Sequence, residues 1–249
     1  MAFPNTISGM YGWEKVQTSA QKHKLGTEMV FVDGRKFRYV ENGGSAITEG
    51  LLVASEAPAG NHDEDLAVAT TAAGSTTVAV TLGGTAAAKN LYAEGYLFIN
   101  LPILGTSANP HEMYKIKSHA VVASGGVLTA NLDEPDGLVT AITNGTETVG
   151  LIKSPYKDIV VAPAAVAGRF VGVTTRSMTA DYFGWVQVAG IAVVAIDGTP
   201  AFGTLLGASS NHAGQFLAVG ADTTPAVARV HGKAGVDNEY HTVMLMNLY

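Results

Sequence analysis

The chain has no cysteine among its 249 residues. That excludes a disulfide framework, a thiolate metal site and a cysteine nucleophile. Charged side chains are scarce, at 14% of residues against a usual figure of about 25%. No apolar run approaches the roughly 20 residues that a membrane-spanning helix needs, so no membrane partner is expected. Met1 to Val16 lacks both the apolar stretch and the small-residue cleavage site of a secretory signal, and a cytoplasmic site of synthesis is the expectation. A basic stripe interleaved with aromatics is also missing, which speaks against direct nucleic-acid binding.

What is present is glycine, 29 residues of it, together with recurrent Ala, Val and Thr. A sparsely charged surface of small residues suits close contact with other protein surfaces. The net charge of −6 conceals an asymmetry. Residues 1–40 carry six Lys/Arg (Lys15, Lys22, Lys24, Arg35, Lys36, Arg38) against three acids, a balance of +3, and the remainder carries nine against eighteen, a balance of −9. A basic leading segment on an acidic body can bind an acidic surface, or it can be a solvated arm with no partner.

Residues 1–26 show no period and read as an extended N-terminal arm, with room for one helical turn. Its large side chains Phe3, Tyr11 and Trp13 cannot form a core of their own and are expected to dock on the body or on a neighbour. Met29 to Val40 is a hairpin signal: β-branched and aromatic flanks surround Asp33-Gly34, a pair suited to the positive φ angles of a type I′ turn. Phe37 and Tyr39 alternate with Lys36 and Arg38, so one face of that strand is apolar. Short strands then recur with Gly-containing turns, among them Thr76 to Leu82, Tyr96 to Leu101, Met113 to Lys117, Val127 to Leu132 and Phe170 to Thr174. Thr85 to Ala93 is the one helix candidate, with Thr85 as N-cap and Gly95 as stop. The long run Tyr182 to Ile196 holds Gly184 and Gly190, and such glycines mark a bulge or a bend. The expected fold class is all-β, sandwich- or barrel-like, with boundaries at Pro58 to Asp65 and at Ser154-Pro155 where the pattern of short strands breaks.

Side-chain constellations that carry chemistry are weak. None of the seven histidines has the i, i+4 spacing around a Glu that a helical zinc site uses. Gly207-Ala-Ser-Ser-Asn211 fails as a nucleophile elbow at its last position. Gly232-Lys233 lacks the preceding glycine and following hydroxyl of a phosphate loop. The acidic groups Asp63, Glu64, Asp65 and Asp133, Glu134, Asp136 lie in turn-like loops, where solvated carboxylates are the default. No cofactor and no catalytic residue is expected.

Three stretches resemble capsid cement (decoration) proteins of tailed bacteriophages. The first runs from Gly12-Trp-Glu-Lys-Val-Gln-Thr18 through Gly26-Thr-Glu-Met-Val30 to Phe37-Arg-Tyr39. The second joins Ala93-Glu-Gly-Tyr-Leu-Phe-Ile-Asn100, Tyr114-Lys-Ile-Lys-Ser-His119 and Leu151-Ile-Lys-Ser-Pro-Tyr156. The third comprises Tyr182-Phe-Gly-Trp-Val-Gln187, Gly203-Thr-Leu-Leu206 and Val236-Asp-Asn-Glu-Tyr240. The resemblance implies a structural virion protein, not an enzyme, on the outer capsid surface between capsomers. It also implies a strand-rich base domain, here residues 27–56 with 157–249, and an inserted β domain of residues 57–156, beside the N-terminal arm of residues 1–26. Its implied partners are the major capsid protein and further copies of itself, as a trimer. Tyr11, Trp13, Lys15, Lys22 and Lys24 are the candidate contacts to a neighbouring subunit. The competing readings are a carbohydrate-binding or adhesive β module on the virion surface, which needs aromatics exposed together, and a polysaccharide depolymerase, which needs a paired-carboxylate cleft.

Overall fold

A computed structural model describes residues 6–100, 112–164, 169–220 and 225–248. Among them there is no α-helix. The strands in chain order are Thr6–Ser8 (β1), Glu28–Val30 (β2), Lys36–Glu41 (β3), Leu52–Ala54 (β4), Leu66–Ala67 (β5) and Thr77–Thr81 (β6). Tyr96–Asn100 (β7), Met113–Ser118 (β8), Val127–Leu132 (β9), Thr148–Ile152 (β10), Val160–Val161 (β11) and Phe170–Thr174 (β12) follow. Phe183–Ala195 (β13), Leu205–Ala208 (β14), Phe216–Ala218 (β15), Ala228–Val230 (β16) and Tyr240–Leu245 (β17) complete the set. The chain divides into two compact units, Met1–Glu56 with Pro155–Tyr249, and Ala57–Ser154.

The unit of residues 57–154 is a six-stranded antiparallel sheet in the order β5-β10-β7-β8-β9-β6. A bridge between Val68, just past β5, and Val80 on β6 brings the two ends of that order together, so the sheet nearly closes on itself. Alternation explains the closure. Val78, Val80, Leu97, Ile99, Ile116, Leu128 and Ala130 point inward and are fully or almost fully buried in one core cluster. Closing a sheet removes the open edges that would otherwise template further pairing.

The helix expected at 85–93 does not form. Ala87 instead bridges Val122, exchanging both backbone hydrogen bonds with it at 2.9 Å, and the chain then makes successive turns with Asn90 and Glu94 at φ 60° and 59°. Alanine propensity is worth only tenths of a kcal/mol per residue, and it loses here to burial of Ala87 and Tyr92 in the core.

The other unit is built on β13, thirteen residues long, in a sheet ordered β1-β2-β3-β13-β17-β16-β14-β15. Strand β12 pairs with both β13 and β4, and β11 pairs with β4. The first half of β13, paired with β3 and β12, is buried at every position from Gly184 to Ala189, whereas from Gly190 it pairs with β17 and its burial alternates. The register shifts between Gln187 and Ala189, which makes the bend expected in this run. Gly190 sits there at φ 87°, and a Cβ on it would lie 3.0 Å from Arg35 Cγ and 3.1 Å from Arg35 Cα. Gly184, by contrast, sits in ordinary ladder register opposite Val40.

The hairpin β2–β3 is present, with Phe37 and Tyr39 buried as the alternation predicts. Its turn differs from the type I′ expectation. Only Gly34 takes positive φ, at 85°, and the bonds from Gly34 N to Phe31 O and from Phe31 N to Arg35 O enclose a longer loop. A type I turn closed by one left-handed glycine matches the strand twist equally well.

Candidate interaction surface

From Thr6 onward the leading segment is laid against its own unit, the first of the two dockings expected for it. Strand β1 adds in parallel to β2, Gly9 N donates to Val30 O, and Thr18 bridges Phe183. Gly9 is required at its position, because a Cβ there would fall 2.3 Å from a Phe31 ring carbon. Trp13–Lys15 form one 3-10 turn. Phe3 lies outside the described residues. Sheet hydrogen bonds and the aromatic cluster of Phe31, Phe37, Tyr39 and Trp185 supply what the segment's own sequence lacks, a surface to fold on.

The candidate contacts nonetheless remain outward. Tyr11 meets Phe31 edge-on at 5.3 Å and lies beneath the Arg35 guanidinium, yet is 63% exposed, and Trp13 is 44% exposed. Lys15, Lys22 and Lys24 are all exposed. The structure brings Tyr11 and Lys15 into the lining of one groove of about 630 Å³, but Trp13, Lys22 and Lys24 are not part of it. Ile191, Ala192, Val193 and Tyr240 line it as well, together with Glu14, Arg35, Glu49 and Gln187. The Ser177 hydroxyl donates to the Glu49 carboxylate and holds it below the usual carboxylate range.

Beside this groove the sheet presents an apolar face. Ile191 stands opposite Met244, Met244 opposite Arg229, and Arg229 opposite Leu205, a single row across β13, β17, β16 and β14. The row is exposed, at 46% for Ile191, 38% for Met244 and 36% for Leu205, with Val193 on β13 and Met246 just past β17 exposed as well. Their neighbours Ala192, Val194, Val243 and Leu245 fill the core behind. Sequence reading missed this face because Ile191 to Val194 is apolar at every position, so the alternation that marks an outer side is invisible there.

The chemistry-bearing clusters resolve into structural parts. His62 is buried; its Nε2 donates to Thr85 O at 2.9 Å, so its Nδ1 accepts from the Tyr92 hydroxyl at 2.5 Å. His119, also buried, donates from Nδ1 to Ala120 O and accepts the Tyr92 N–H at Nε2. Burial, with the Asp63 carboxylate adding to it, pushes the Tyr92 phenol up to about 12. His111 lies outside the described residues.

Ser209 and His212 both face Asp197 Oδ2, at 2.5 and 3.4 Å, and the Ser209 hydroxyl accepts the Asn211 and His212 N–H groups. A nucleophile relay needs the imidazole between serine and carboxylate; here the carboxylate is in the middle, and the set pins a turn. Asp133 and Glu134 line a hollow of about 620 Å³ with Lys117 and Asn131, and Asp136 is outside its lining. Among the described residues no three His, Asp or Glu side chains converge as metal ligands. The chain matches no protein-family model, no curated protein and no solved structure.

Proposed function

We propose that this is a structural protein of a tailed-phage virion, a cement protein that binds the outer capsid surface between capsomers and stabilises the assembled head. The observation that carries the reading is the exposed row Ile191, Met244, Arg229 and Leu205, an apolar sheet face with one charge on it. Contiguous apolar surface of this kind marks protein contact more often than free solvent exposure. It belongs to the unit with eleven Lys/Arg against twelve Asp/Glu, a net −1, while residues 57–154 hold four against nine, a net −5. A near-neutral face avoids the cost of stripping water from charges when it docks.

The mechanism is multivalent clamping by a trimer. Once one copy is seated, the remaining contacts form intramolecularly, and avidity exceeds a single contact by about 10² to 10⁴. Because only the assembled lattice offers all the contacts at once, binding stabilises the shell by mass action. No reactive side chain takes part. Sedimentation of the purified protein with heads stripped of their decoration tests the reading: saturable co-sedimentation is expected, together with a molar mass about three times 25.7 kDa in solution. Heads that leave the protein in the supernatant overturn it. The carbohydrate reading draws on Tyr11 and Tyr240, both exposed and lining one groove; binding on a glycan array by the isolated protein would favour it instead.

A further inference from the structure

Strand β13 has an open stretch of backbone edge inside the groove. Successive residues of an antiparallel strand direct their N–H and C=O groups to opposite sides. Ile196 N donates to Glu239 O and Val188 O accepts from Leu248 N, so the even-numbered residues face β17. The odd-numbered ones face away: Ala195 N donates to Gly50 O, and Ile191 O accepts from Gln187 Nε2 at 2.8 Å. Between those two closures stand the N–H of Ile191 and the N–H and C=O of Val193. Among the described residues no hydrogen bond reaches them on that side. Ile191, Ala192 and Val193 all line the groove, as do Gly50 and Gln187 from the two closures. Strand β3 stops short of this point, since its pairing ends at Lys36 opposite Ala189.

The slot also has polarity. Arg35 packs against Gly190 at one end, and its Nε is held by Asp33 Oδ2 at 2.8 Å. Among the described residues no hydrogen bond reaches its two terminal nitrogens. Glu49 precedes the Gly50 that closes the other end. Side walls of Tyr11, Ile191, Val193 and Tyr240 are apolar and exposed. We infer that this groove receives an extended peptide segment of another protein, which adds to β13 at Ile191 and Val193 with a carboxylate toward Arg35 and a cation toward Glu49. Backbone hydrogen bonds supply the affinity in strand addition, and the walls select alternate side chains. Opposite charge at the two ends fixes which way the segment runs.

The inference stands apart from shell binding: heads that ignore the protein defeat that reading, whereas an empty peptide selection defeats this one. The probe is a random decapeptide library displayed on messenger RNA and selected against the full chain. Enriched peptides are expected to alternate apolar residues and to carry Asp or Glu near one end and Lys or Arg near the other. Val193→Pro deletes an N–H that no ladder bond uses and should weaken capture thirtyfold or more, while Val193→Ala, which keeps the N–H, weakens it threefold or less. Should Val193→Pro fail to fold, amide exchange in the unmodified protein decides: captured peptide slows Ile191 and Val193 at least tenfold. No enrichment, equal losses in the two variants, or unprotected amides would each overturn the slot. A multimer that Val193→Pro converts to the 25.7 kDa monomer would assign the groove to a second copy and overturn the partner.

Discussion

The two units are made from the same palette of Val, Ala, Thr and Gly and reach opposite ends. Residues 57–154 nearly close their sheet around a single core, place two histidines and a tyrosine inside it, and carry a net −5 outside. The other unit distributes its core over three clusters, and its long sheet keeps an apolar row on the outer face and an open backbone edge. A closed sheet uses up its bonding capacity on itself; an open one retains some for others. The proposed reading thus gives stability and contact to different parts of one chain, and each prediction below bears on that division.

The largest effect is expected from Ile116→Ala, a fully buried site in the closed unit. Removing that side chain costs about 2–5 kcal/mol. Urea unfolding followed by amide exchange should show residues 57–154 opening earlier, with the unfolding of the other unit and its binding to heads unchanged. Equal loss of binding would break the division. Tyr92→Phe comes next. It leaves His62 Nδ1 buried without its donor, at a cost of about 1–3 kcal/mol. The phenol also gives this unit an alkaline limit. Its folded value, about 12, stands above the ordinary 10, so its contribution is complete below pH 10 and is lost as pH rises from 10 to 12. Thermal melts across that window should fall for the native protein, and Tyr92→Phe should remove that component.

On the outer face, Met244→Asp places a charge in the centre of the apolar row. Exposed substitutions away from special features shift stability by about 0.5 kcal/mol or less, so the fold should persist. Affinity for heads should nevertheless drop at least tenfold, about 1.4 kcal/mol, measured by co-sedimentation. A stable Met244→Asp protein that binds as before would move the contact elsewhere and leave the row unexplained.

Strands were the legible part of this sequence, because alternation with β-branched residues is a local signal. Val127–Leu132 and Phe170–Thr174 match their expected spans to the residue. Thr148–Ile152 carries a weaker local signal, because Thr-Val-Gly-Leu-Ile follows a turn and contains glycine; it is held by pairing on both sides with β5 and β7. The helix at 85–93 failed for the converse reason, local propensity overruled by a bridge to Val122, 35 positions along.

The candidate surface was half visible. Tyr11 and Lys15 reach the groove, but Ile191, Gln187, Glu49 and Tyr240 come to it from distant segments through the bend in β13. Nothing local encodes which backbone groups a bend leaves unpaired. Nor was the leading segment's role local. Removing residues 1–25 is expected to uncover Met29, Phe31 and Trp185 as well as any outward contact, so deletion cannot isolate the contact.

Point changes at the exposed lysines can, and they give the smallest expected effect. Lys22 and Lys24 stand on the segment with the +3 balance but outside the groove lining. Exposed charges act on encounter more than on the seated complex, and at 0.15 M salt their field is screened within about 8 Å. Lys22→Gln with Lys24→Gln should therefore slow association with heads by about threefold or less in dilute buffer. The difference should vanish near 1 M salt, where screening falls to about 3 Å, and dissociation should be unaffected. Stopped-flow mixing of labelled protein with heads at several salt concentrations measures both rates. A loss comparable to that of Met244→Asp, or one that persists in high salt, would mean that the basic segment grips and the apolar row does not. The contrast between a charged unit that is merely stable and a near-neutral one that makes contacts would then have to be redrawn within the first 26 residues.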